Sequence, residues 1–323
     1  MRARHAVIER IGGPEVITWR DVDLPTPGPG QALVRHTAVG LNFIDTYHRS
    51  GLYPIDLPGG LGLEAAGIVE AVGEGVGLAP GDRVATFGPE RGAYASARIV
   101  SAASLVRLPY DIEDHVAAAA LLKGCTAEFL VERCGRVEPG WPVLVHAAAG
   151  GVGLLLVQWL KATGAHVIGT VGSDDKAQLA RDAGADHVLR SDDDLATEVR
   201  ALTGGAGVRV TFDGVGKATW AASLGVTARR GLLVSYGNAS GAIGPVDFAV
   251  LARNGSLFAT RPTLFDYYAG PEERAAGAAR LFEMLRSGRL RVEIGRRYPL
   301  ADAAAAHRDL EARRTTGSSL LIP

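Results

Sequence analysis

Apolar and polar positions follow two different rhythms along the chain of 323 residues. Up to about residue 122, short runs rich in β-branched residues lie between glycine or proline turns, as in HAVIERIG (5–12) and AAGIVEAVG (65–73). Such runs are typical of many short strands in a sandwich or barrel. Over 123–262, short apolar strands alternate with helical segments of about 10–15 residues, which predicts βαβ units around a parallel sheet.

The last segment of the chain combines one helix with one strand. PEERAAGAARLFEMLRSGRL (271–290) has apolar residues at spacings of three and four, and the chain ends in the strand-like SSLLIP (318–323). We predict an α/β protein with two domains. The β-rich domain takes residues 1–122 and 263–323, because the tail is expected to return to it, and the doubly wound domain takes 123–262.

Composition and charge narrow the class of protein. Apolar residues make up 47% and charged residues 21%, and the formal net charge is −1, so we expect no steering towards nucleic acid or an anionic membrane. The longest apolar stretch, residues 141–160, is split by a glycine pair, which favours a strand, turn and helix over a membrane span. The chain start lacks an apolar signal region, and two cysteines cannot form a disulfide framework, so we expect a cytoplasmic protein.

The turn HAAAGGVG (146–153) follows a predicted strand and opens a predicted helix. Its small residues fit the dinucleotide-binding pattern G-x-G-x-x-G with Ala148, Gly150 and Gly153 at the glycine positions, and Gly151 and Val152 complete the turn. Gly150 would let the backbone approach a pyrophosphate, and Gly153 would let the helix pack closely. On this stretch alone, a βα turn without a ligand remains open.

The end of the next strand distinguishes the two nicotinamide cofactors. An NAD site usually has Asp or Glu about 20 residues after the glycines, to bind the ribose 2′-hydroxyl. Here the strand ends near Val171, and Gly172, Ser173 and Lys176 follow. A hydroxyl and a cation suit a 2′-phosphate, and Arg190 after the third strand is a second candidate cation. We therefore predict NADPH, although the acidic pair at 174–175 points mildly to NAD.

Seven segments, in order and spread over nearly the whole chain, resemble quinone oxidoreductases. These enzymes are the zinc-free, zeta-crystallin-like branch of the medium-chain dehydrogenase/reductase superfamily. The segments are GLNFIDTYHRSGLYP (40–54), GLGLEAAGIVEAVG (60–73), PGDRV (80–84), LLKGCTAEFLV (121–131), HAAAGGVG (146–153), SYGNASG (235–241) and GSSLLIP (317–323). The resemblance implies a GroES-like domain, a Rossmann domain, reduction of a quinone by NADPH, and a homodimer.

The resemblance also implies the site residues. Asn42, Tyr47 and Tyr53 are the candidate catalytic residues, as hydrogen-bond donors near a developing oxyanion, and Asn42 and Tyr47 also contact the nicotinamide ribose. For both tyrosines, simple packing with a solvated hydroxyl remains open. The other implied cofactor contacts are Thr126 at a helix start, Val152, Gly172, Ser173, Lys176, Tyr236, Gly237, Asn238, Ser240 and Arg313. Arg190 or Ser191 stands where bacterial relatives often have a tyrosine near the adenine.

Zinc-dependent relatives hold their catalytic metal with a Cys, the His of a G-H-E motif and a second Cys. The corresponding residues here are Asn42, Leu63 and Cys125. One ligand of three cannot complete a tetrahedral site, so we expect no zinc. Cys125 and Cys134 are then expected to be small buried residues, and His146 a hydrogen-bonded core histidine.

Two alternatives to quinone reduction stay open at this point. One is an NADPH-dependent reductase of α,β-unsaturated carbonyl compounds, such as enones and enals, since it would use the same hydride geometry. The other is an NADPH-binding protein with a non-catalytic or RNA-binding role. The chain has no basic stripe for RNA, so we expect no nucleic-acid partner.

Overall fold

The computed structural model describes all 323 residues. The strands, in chain order, are β1 (Arg2–Ile8), β2 (Thr18–Asp23), β3 (Gln31–Leu41), β4 (Gly59–Gly60), β5 (Glu64–Val72), β6 (Arg83–Phe87), β7 (Ala97–Ser101), β8 (Leu105–Arg107), β9 (Pro142–Val145), β10 (His166–Val171), β11 (His187–Arg190), β12 (Val208–Asp213), β13 (Thr227–Ser235), β14 (Phe258–Thr260), β15 (Ile294–Pro299) and β16 (Ser318–Ile322).

The α-helices are, in the same order, α1 (Phe43–Ser50), α2 (Asp114–Glu128), α3 (Gly151–Thr163), α4 (Asp174–Asp182), α5 (Leu195–Leu202), α6 (Trp220–Val226), α7 (Ala249–Arg253), α8 (Leu264–Tyr267), α9 (Pro271–Arg286) and α10 (Ala303–Glu311). A π-helical segment, Phe129–Cys134, continues α2. The apolar stretch that the sequence assigns to a strand, turn and helix forms β9, a turn and α3, as predicted.

The chain divides into two compact units. The first unit comprises Met1–Lys123, Tyr268–Phe282 and Val292–Pro323, and the second comprises Gly124–Tyr267 and Glu283–Arg291. The sequence assigned the whole tail from residue 263 to the first domain, whereas the structure groups residues 263–267 and 283–291 with the second unit. The Gln158 side chain on α3 explains the grouping of residues 283–291, because it donates to the Arg291 carbonyl at 3.1 Å and accepts from the Arg291 N–H at 2.7 Å.

The first unit is built from two mostly antiparallel sheets. One sheet has the order β2-β1-β4, and the other has the order β15-β16-β3-β5-β6-β8, with β7 also paired to β3. An apolar core formed by Ile8, Val39, Leu41, Tyr94 and Leu321, among other residues, lies within this unit. This is the β-rich domain that the short alternating runs predict.

The second unit contains a six-stranded sheet in the order β11-β10-β9-β12-β13-β14, and all its strand pairs are parallel. Counted within the unit, this is the doubly wound order 3-2-1-4-5-6, in which the direction of strand addition reverses between the first and fourth strands. Ligands of such sheets bind outside the carboxyl ends of the strands, at this reversal. The predicted α/β class with a doubly wound domain is therefore confirmed.

Candidate functional site

The glycine turn joins β9 to α3 at the carboxyl edge of the six-stranded sheet. Gly150 is the N-cap residue of α3, and its N–H donates to the Ala147 carbonyl at 2.9 Å. The positive φ of the turn, 53°, falls on Ala147. The first position of the motif, Ala148, therefore needs no glycine. An anion placed here would meet the N–H groups of the first turn of α3, which have no partners within the helix, and the positive end of its dipole.

Gly153 lies where the turn and the start of α3 pack most closely. A Cβ atom on Gly153 would lie 2.2 Å from the Ala147 carbonyl oxygen and 2.9 Å from that of Ala148. A Cβ atom on Gly169 of β10 would lie 2.8 Å from the Ala148 Cβ atom. Glycine is thus required at position 153 by packing, as the motif predicts. At Gly150 the nearest atom would be 3.2 Å away, so that position has more room.

The segment between β10 and α4 collects polar groups from two strand ends. Ser173 is the N-cap residue of α4, and its hydroxyl makes no capping hydrogen bond. Arg190 donates from Nη2 to the Gly172 carbonyl at 3.0 Å and from Nη1 to Asp174 at 2.9 Å. The Asp174 side chain is 96% exposed, so this ion pair contributes little stability. The structure thus brings Gly172, Ser173 and Arg190 together, with Lys176 in the first turn of α4.

Ser191 lies next to this cluster. Its N–H and its hydroxyl both donate to the Val171 carbonyl, at 2.9 and 3.0 Å. The Ser191 hydroxyl hydrogen is therefore used to join the ends of β10 and β11.

Asp213, the fully buried last residue of β12, organises the loops that follow β12 and β13. Its Oδ1 atom accepts hydrogen bonds from the N–H groups of Val215 and Gly216, at 2.8 and 3.0 Å, and from the Thr219 hydroxyl at 2.8 Å. Its carbonyl accepts from the Tyr236 N–H at 2.8 Å. Asp213 thereby positions both loops at the carboxyl edge, the first through its side chain and the second through its backbone carbonyl.

The loop after β13 contains four predicted cofactor residues, and these are Tyr236, Gly237, Asn238 and Ser240. The Ser240 hydroxyl donates to the Val215 carbonyl at 2.8 Å. A Cβ atom on Gly237 would lie 2.3 Å from the Gly214 carbonyl oxygen. Gly237 and Ser240 therefore hold this loop against the loop after β12.

Thr126 lies in the last turn of α2 and is 8% exposed. The prediction that it stands at a helix start is wrong, because α2 begins at Asp114 and runs through Gly124 without a break. Cys125, beside it, is fully buried as predicted. Cys134 is only half-buried, and burial raises the pKa of its thiol.

In the first unit, Asn42, Tyr47 and Tyr53 lie on α1 and the turn after it. Asn42 is the N-cap residue of α1, and the Oδ2 atom of Asp45 accepts from the Asn42 N–H at 2.9 Å. Gly51 ends the helix in the left-handed conformation, and the Tyr53 N–H then donates to the Tyr47 carbonyl at 3.1 Å. The two tyrosine rings lie 5.1 Å apart at 63°, so the structure brings both predicted aromatic residues together.

Glu64 is a buried anion beside Asn42 that the sequence did not reveal. Its side chain is 0% exposed and accepts hydrogen bonds from Asn42 Nδ2 at 2.9 Å, Lys123 Nζ at 3.1 Å and the Leu122 N–H at 2.7 Å. Asn42 and Lys123 both donate to the Oε2 atom of Glu64, and the Leu122 N–H donates to its Oε1 atom. Every polar contact of a buried carboxylate lowers its desolvation cost, and the ammonium also compensates its charge.

A second buried chain of hydrogen bonds links α1 to α10. The Tyr94 hydroxyl donates to Asp45 Oδ2 at 2.9 Å and lies 3.0 Å from His307 Nε2. Arg49 Nη1 lies 3.2 Å from His307 Nδ1 and 2.9 Å from Glu311 Oε2. Because arginine only donates, we assign the His307 proton to Nε2, so that each group in the chain donates to the next.

Two of these groups are strongly perturbed by burial. Desolvation raises the pKa of Asp45 to about 7, against the lowering effect of its hydrogen bonds from Asn42 and Tyr94. Desolvation and then the charge of Arg49 lower the pKa of His307 to about 3, so this imidazole is neutral.

Arg313 follows the end of α10 with a φ of 58°, and its N–H donates to the Leu310 carbonyl at 3.0 Å.

His146, which follows β9, is 1% exposed, with its ring nitrogens 3.0 Å from the Thr170 hydroxyl and 3.1 Å from the Ser223 hydroxyl. Its predicted role as a hydrogen-bonded core residue is confirmed.

No group of three or more His, Cys, Asp or Glu side chains is placed to hold a metal ion. None of the helices combines the length and the apolar character needed to cross a membrane.

Family models match both parts of the chain. The model described as "Alcohol dehydrogenase GroES-like domain" matches residues 28–110, and the model described as "Zinc-binding dehydrogenase" matches residues 151–283. The first match lies in the β-rich unit. The second begins at Gly151, the first residue of α3, and covers five of the six strands of the six-stranded sheet.

Individual relatives match almost the whole chain. A "Quinone oxidoreductase" of Pseudomonas aeruginosa is 49% identical over 97% of both chains, and a "2-haloacrylate reductase" of a Burkholderia species is 42% identical over 98% of both. The crystal structure of an Escherichia coli quinone oxidoreductase complexed with NADPH is 45% identical, with a TM-score of 0.97 over 99% of this chain and all of that one.

Proposed function

The chain belongs to the quinone oxidoreductase family of the medium-chain dehydrogenases/reductases, and from that premise we propose that it is an NADPH-dependent quinone reductase. The observation that carries the proposal is the polar cluster at the carboxyl edge of the second unit. There the glycine turn offers N–H groups to a pyrophosphate, and Ser173, Lys176 and Arg190 offer a hydroxyl and two cations to a 2′-phosphate.

The residues at this edge fit NADPH better than NAD. β10 ends at Val171 without a carboxylate to accept a hydrogen bond from a ribose 2′-hydroxyl. Arg190 is already held against the Gly172 carbonyl, so its guanidinium is preorganised next to the N-terminus of α4. Its pairing with the exposed Asp174 is weak enough to be exchanged for a phosphate.

In the reaction, bound NADPH supplies the hydride that a quinone accepts. Asn42 and Tyr47 contact the nicotinamide ribose in this proposal. The hydroxyl groups of Tyr47 and Tyr53 donate hydrogen bonds to the quinone oxygen on which negative charge develops. The packing of the two rings against each other limits their rotation, so the donors are positioned before the reaction begins.

We also propose that the reaction needs no metal. Leu63 and Asn42 stand at two positions where zinc-dependent relatives have metal ligands. Leu63 has no ligating atom, and the Asn42 amide directs its NH₂ group towards Glu64. Cys125 alone cannot complete a tetrahedral site.

Two further features of the proposal concern assembly and location. We propose a homodimer formed through β14, the edge strand of the six-stranded sheet, where Phe258 is 63% exposed. An unpaired edge with an exposed aromatic side chain is suited to pairing with a second copy. The two free cysteines, Cys125 and Cys134, support a cytoplasmic location, where thiols stay reduced.

The proposal is tested by following NADPH oxidation after dialysis of the protein against EDTA. The compounds tested as substrates are several quinones, several enones and enals, and 2-haloacrylate. The last is included because one relative is named a 2-haloacrylate reductase. We expect rapid turnover with quinones that EDTA does not abolish. Turnover of enones or enals without turnover of any quinone would favour the alternative reductase. Retention of AU-rich RNA on a filter at physiological salt would favour the RNA-binding alternative.

A further inference from the structure

The ion pair between Glu64 and Lys123 lies in the interior of the first unit. The side chains are 0% and 5% exposed, and Nζ lies 3.1 Å from Oε2. Moving an isolated carboxylate into such surroundings costs several kcal/mol, so a buried carboxylate needs a cation and hydrogen-bond donors around it. The ammonium group of Lys123 supplies that cation.

The Glu64 carboxylate determines how the Asn42 amide is turned. A carboxylate only accepts hydrogen bonds, so Asn42 has to present its NH₂ group to Oε2, and its Oδ1 atom faces the other way. The carboxylate therefore selects one of the two orientations that the amide could adopt.

The backbone around the pair leaves Glu64 little freedom to move. Gly40 of β3 pairs with Glu64 of β5, and a Cβ atom on Gly40 would lie 2.2 Å from Oε2 and 2.4 Å from the Ala118 carbonyl oxygen. On the opposite side, the Leu122 N–H holds Oε1 at 2.7 Å. The carboxylate is thus fixed by both its strand neighbour and the middle of α2.

From these contacts we propose that Lys123 is a positioning residue, whose charge acts through Glu64 to hold the Asn42 amide in one orientation for the bound cofactor. The inference rests on the proposed contact between Asn42 and NADPH. It adds a residue that makes no cofactor contact in the proposed function, and it gives the buried ion pair a purpose beyond stability.

The experiment measures the dissociation constant of NADPH by fluorescence and the Tm of each variant. The variants are Lys123→Gln, Lys123→Arg, Asn42→Ala and the double variant Lys123→Gln/Asn42→Ala. Lys161→Gln is the matched control, because Lys161 pairs with Asp186 at 2.7 Å in a site where both side chains are about one-third exposed. Quinone turnover of the wild-type protein is measured separately, so that failure of the proposed reaction is recognised independently.

We expect Lys123→Gln and Asn42→Ala each to weaken NADPH binding up to about tenfold, the upper value for one hydrogen bond between neutral groups. Lys123→Arg keeps the charge and should remain within about threefold of the wild type. The double variant should bind no more weakly than Asn42→Ala alone, because Lys123 acts only through that side chain. Lys161→Gln should leave the affinity unchanged.

Three results would overturn the inference. A lower Tm for Lys123→Gln with unchanged NADPH affinity would show that the pair only stabilises the fold. Additive losses in the double variant would show that Lys123 does not act through Asn42. Unchanged affinity in Asn42→Ala would remove both this inference and the proposed role of Asn42.

Glu64→Gln provides the same test if Lys123→Gln does not fold, since it removes the negative charge and keeps the volume. We expect it to weaken NADPH binding about tenfold. Adding Asn42→Ala to Glu64→Gln should then change the dissociation constant of NADPH very little. Full affinity in folded Glu64→Gln would contradict the inference.

Discussion

Replacing Gly153 with alanine should destabilise the second unit and weaken NADPH binding together. The new Cβ atom would begin 2.2 Å from the Ala147 carbonyl oxygen, and contacts below 3.0 Å essentially never occur, so the backbone has to move by about 0.8 Å. The oxygen is a backbone atom, and the Cβ atom is bonded directly to the backbone, so neither can move away by rotating a side chain. Overpacking of this kind costs about 1–3 kcal/mol, which corresponds to a Tm lower by several degrees.

The same shift changes the turn that presents N–H groups to the pyrophosphate. We therefore expect the dissociation constant of NADPH to rise at least about tenfold, since the loss of one good phosphate contact is worth about 1.5–3 kcal/mol. Thermal unfolding and NADPH titration on the same samples measure both effects. A Gly153→Ala variant with wild-type Tm and affinity would refute the packing argument.

Gly172→Ala is the matched control for this reasoning. A Cβ atom there would have no protein atom within 4 Å, and the residue does not need a positive φ. Its Tm should stay the same or rise slightly, because alanine restricts the unfolded chain. Its affinity for NADPH should fall while its affinity for NADH changes less, since only the 2′-phosphate is proposed to approach this position.

Three further predictions concern other parts of the molecule. Arg49→Met should lower the free energy of unfolding by about 1–3 kcal/mol in urea titrations, because it leaves the buried Nδ1 atom of His307 without its hydrogen-bond donor, whereas Glu311 is 37% exposed and can be hydrated; a loss below about 0.5 kcal/mol would contradict this. The raised pKa of Asp45, about 7, means that between pH 4 and 7 the folded protein binds more protons than the unfolded one, so stability falls as the pH rises. The free energy of unfolding of the wild type, relative to that of Asp45→Asn, should therefore fall as the pH rises from 4 to 7. A difference between the two proteins that does not depend on pH would contradict the raised pKa of Asp45. Phe258→Asp should convert a dimer to a monomer in light scattering, whereas an unchanged mass would exclude β14 as the interface.

Local sequence patterns predicted the second unit well. The glycine spacing of residues 148–153, a β-rich run before it and an apolar helix after it are all short-range features, and the structure forms β9, the turn and α3 there. The polar residues after β10 and β11 could be assigned to one edge because the carboxyl ends of parallel strands meet. Arg190 does lie against Gly172, 18 positions earlier in the chain.

The buried polar groups of the first unit could not be predicted in the same way. Glu64 and Lys123 are 59 residues apart, and Arg49 and His307 are 258 apart, so no local spacing joins them. The one available signal was a lysine inside the apolar run LLKGCTA (121–127), since a charge on a buried helix needs a partner. Thr126 was placed at a helix start only by the resemblance, and α2 in fact runs from Asp114 through Gly124 to Glu128.

The ratio of kcat/KM for NADPH to that for NADH, measured with one quinone in wild type and in Lys176→Ala, shows whether the 2′-phosphate binds at the start of α4. We expect the wild type to prefer NADPH and Lys176→Ala to reduce this preference about tenfold or more, with little change in kcat/KM for NADH. An unchanged preference in Lys176→Ala would contradict the assignment of the 2′-phosphate to the start of α4.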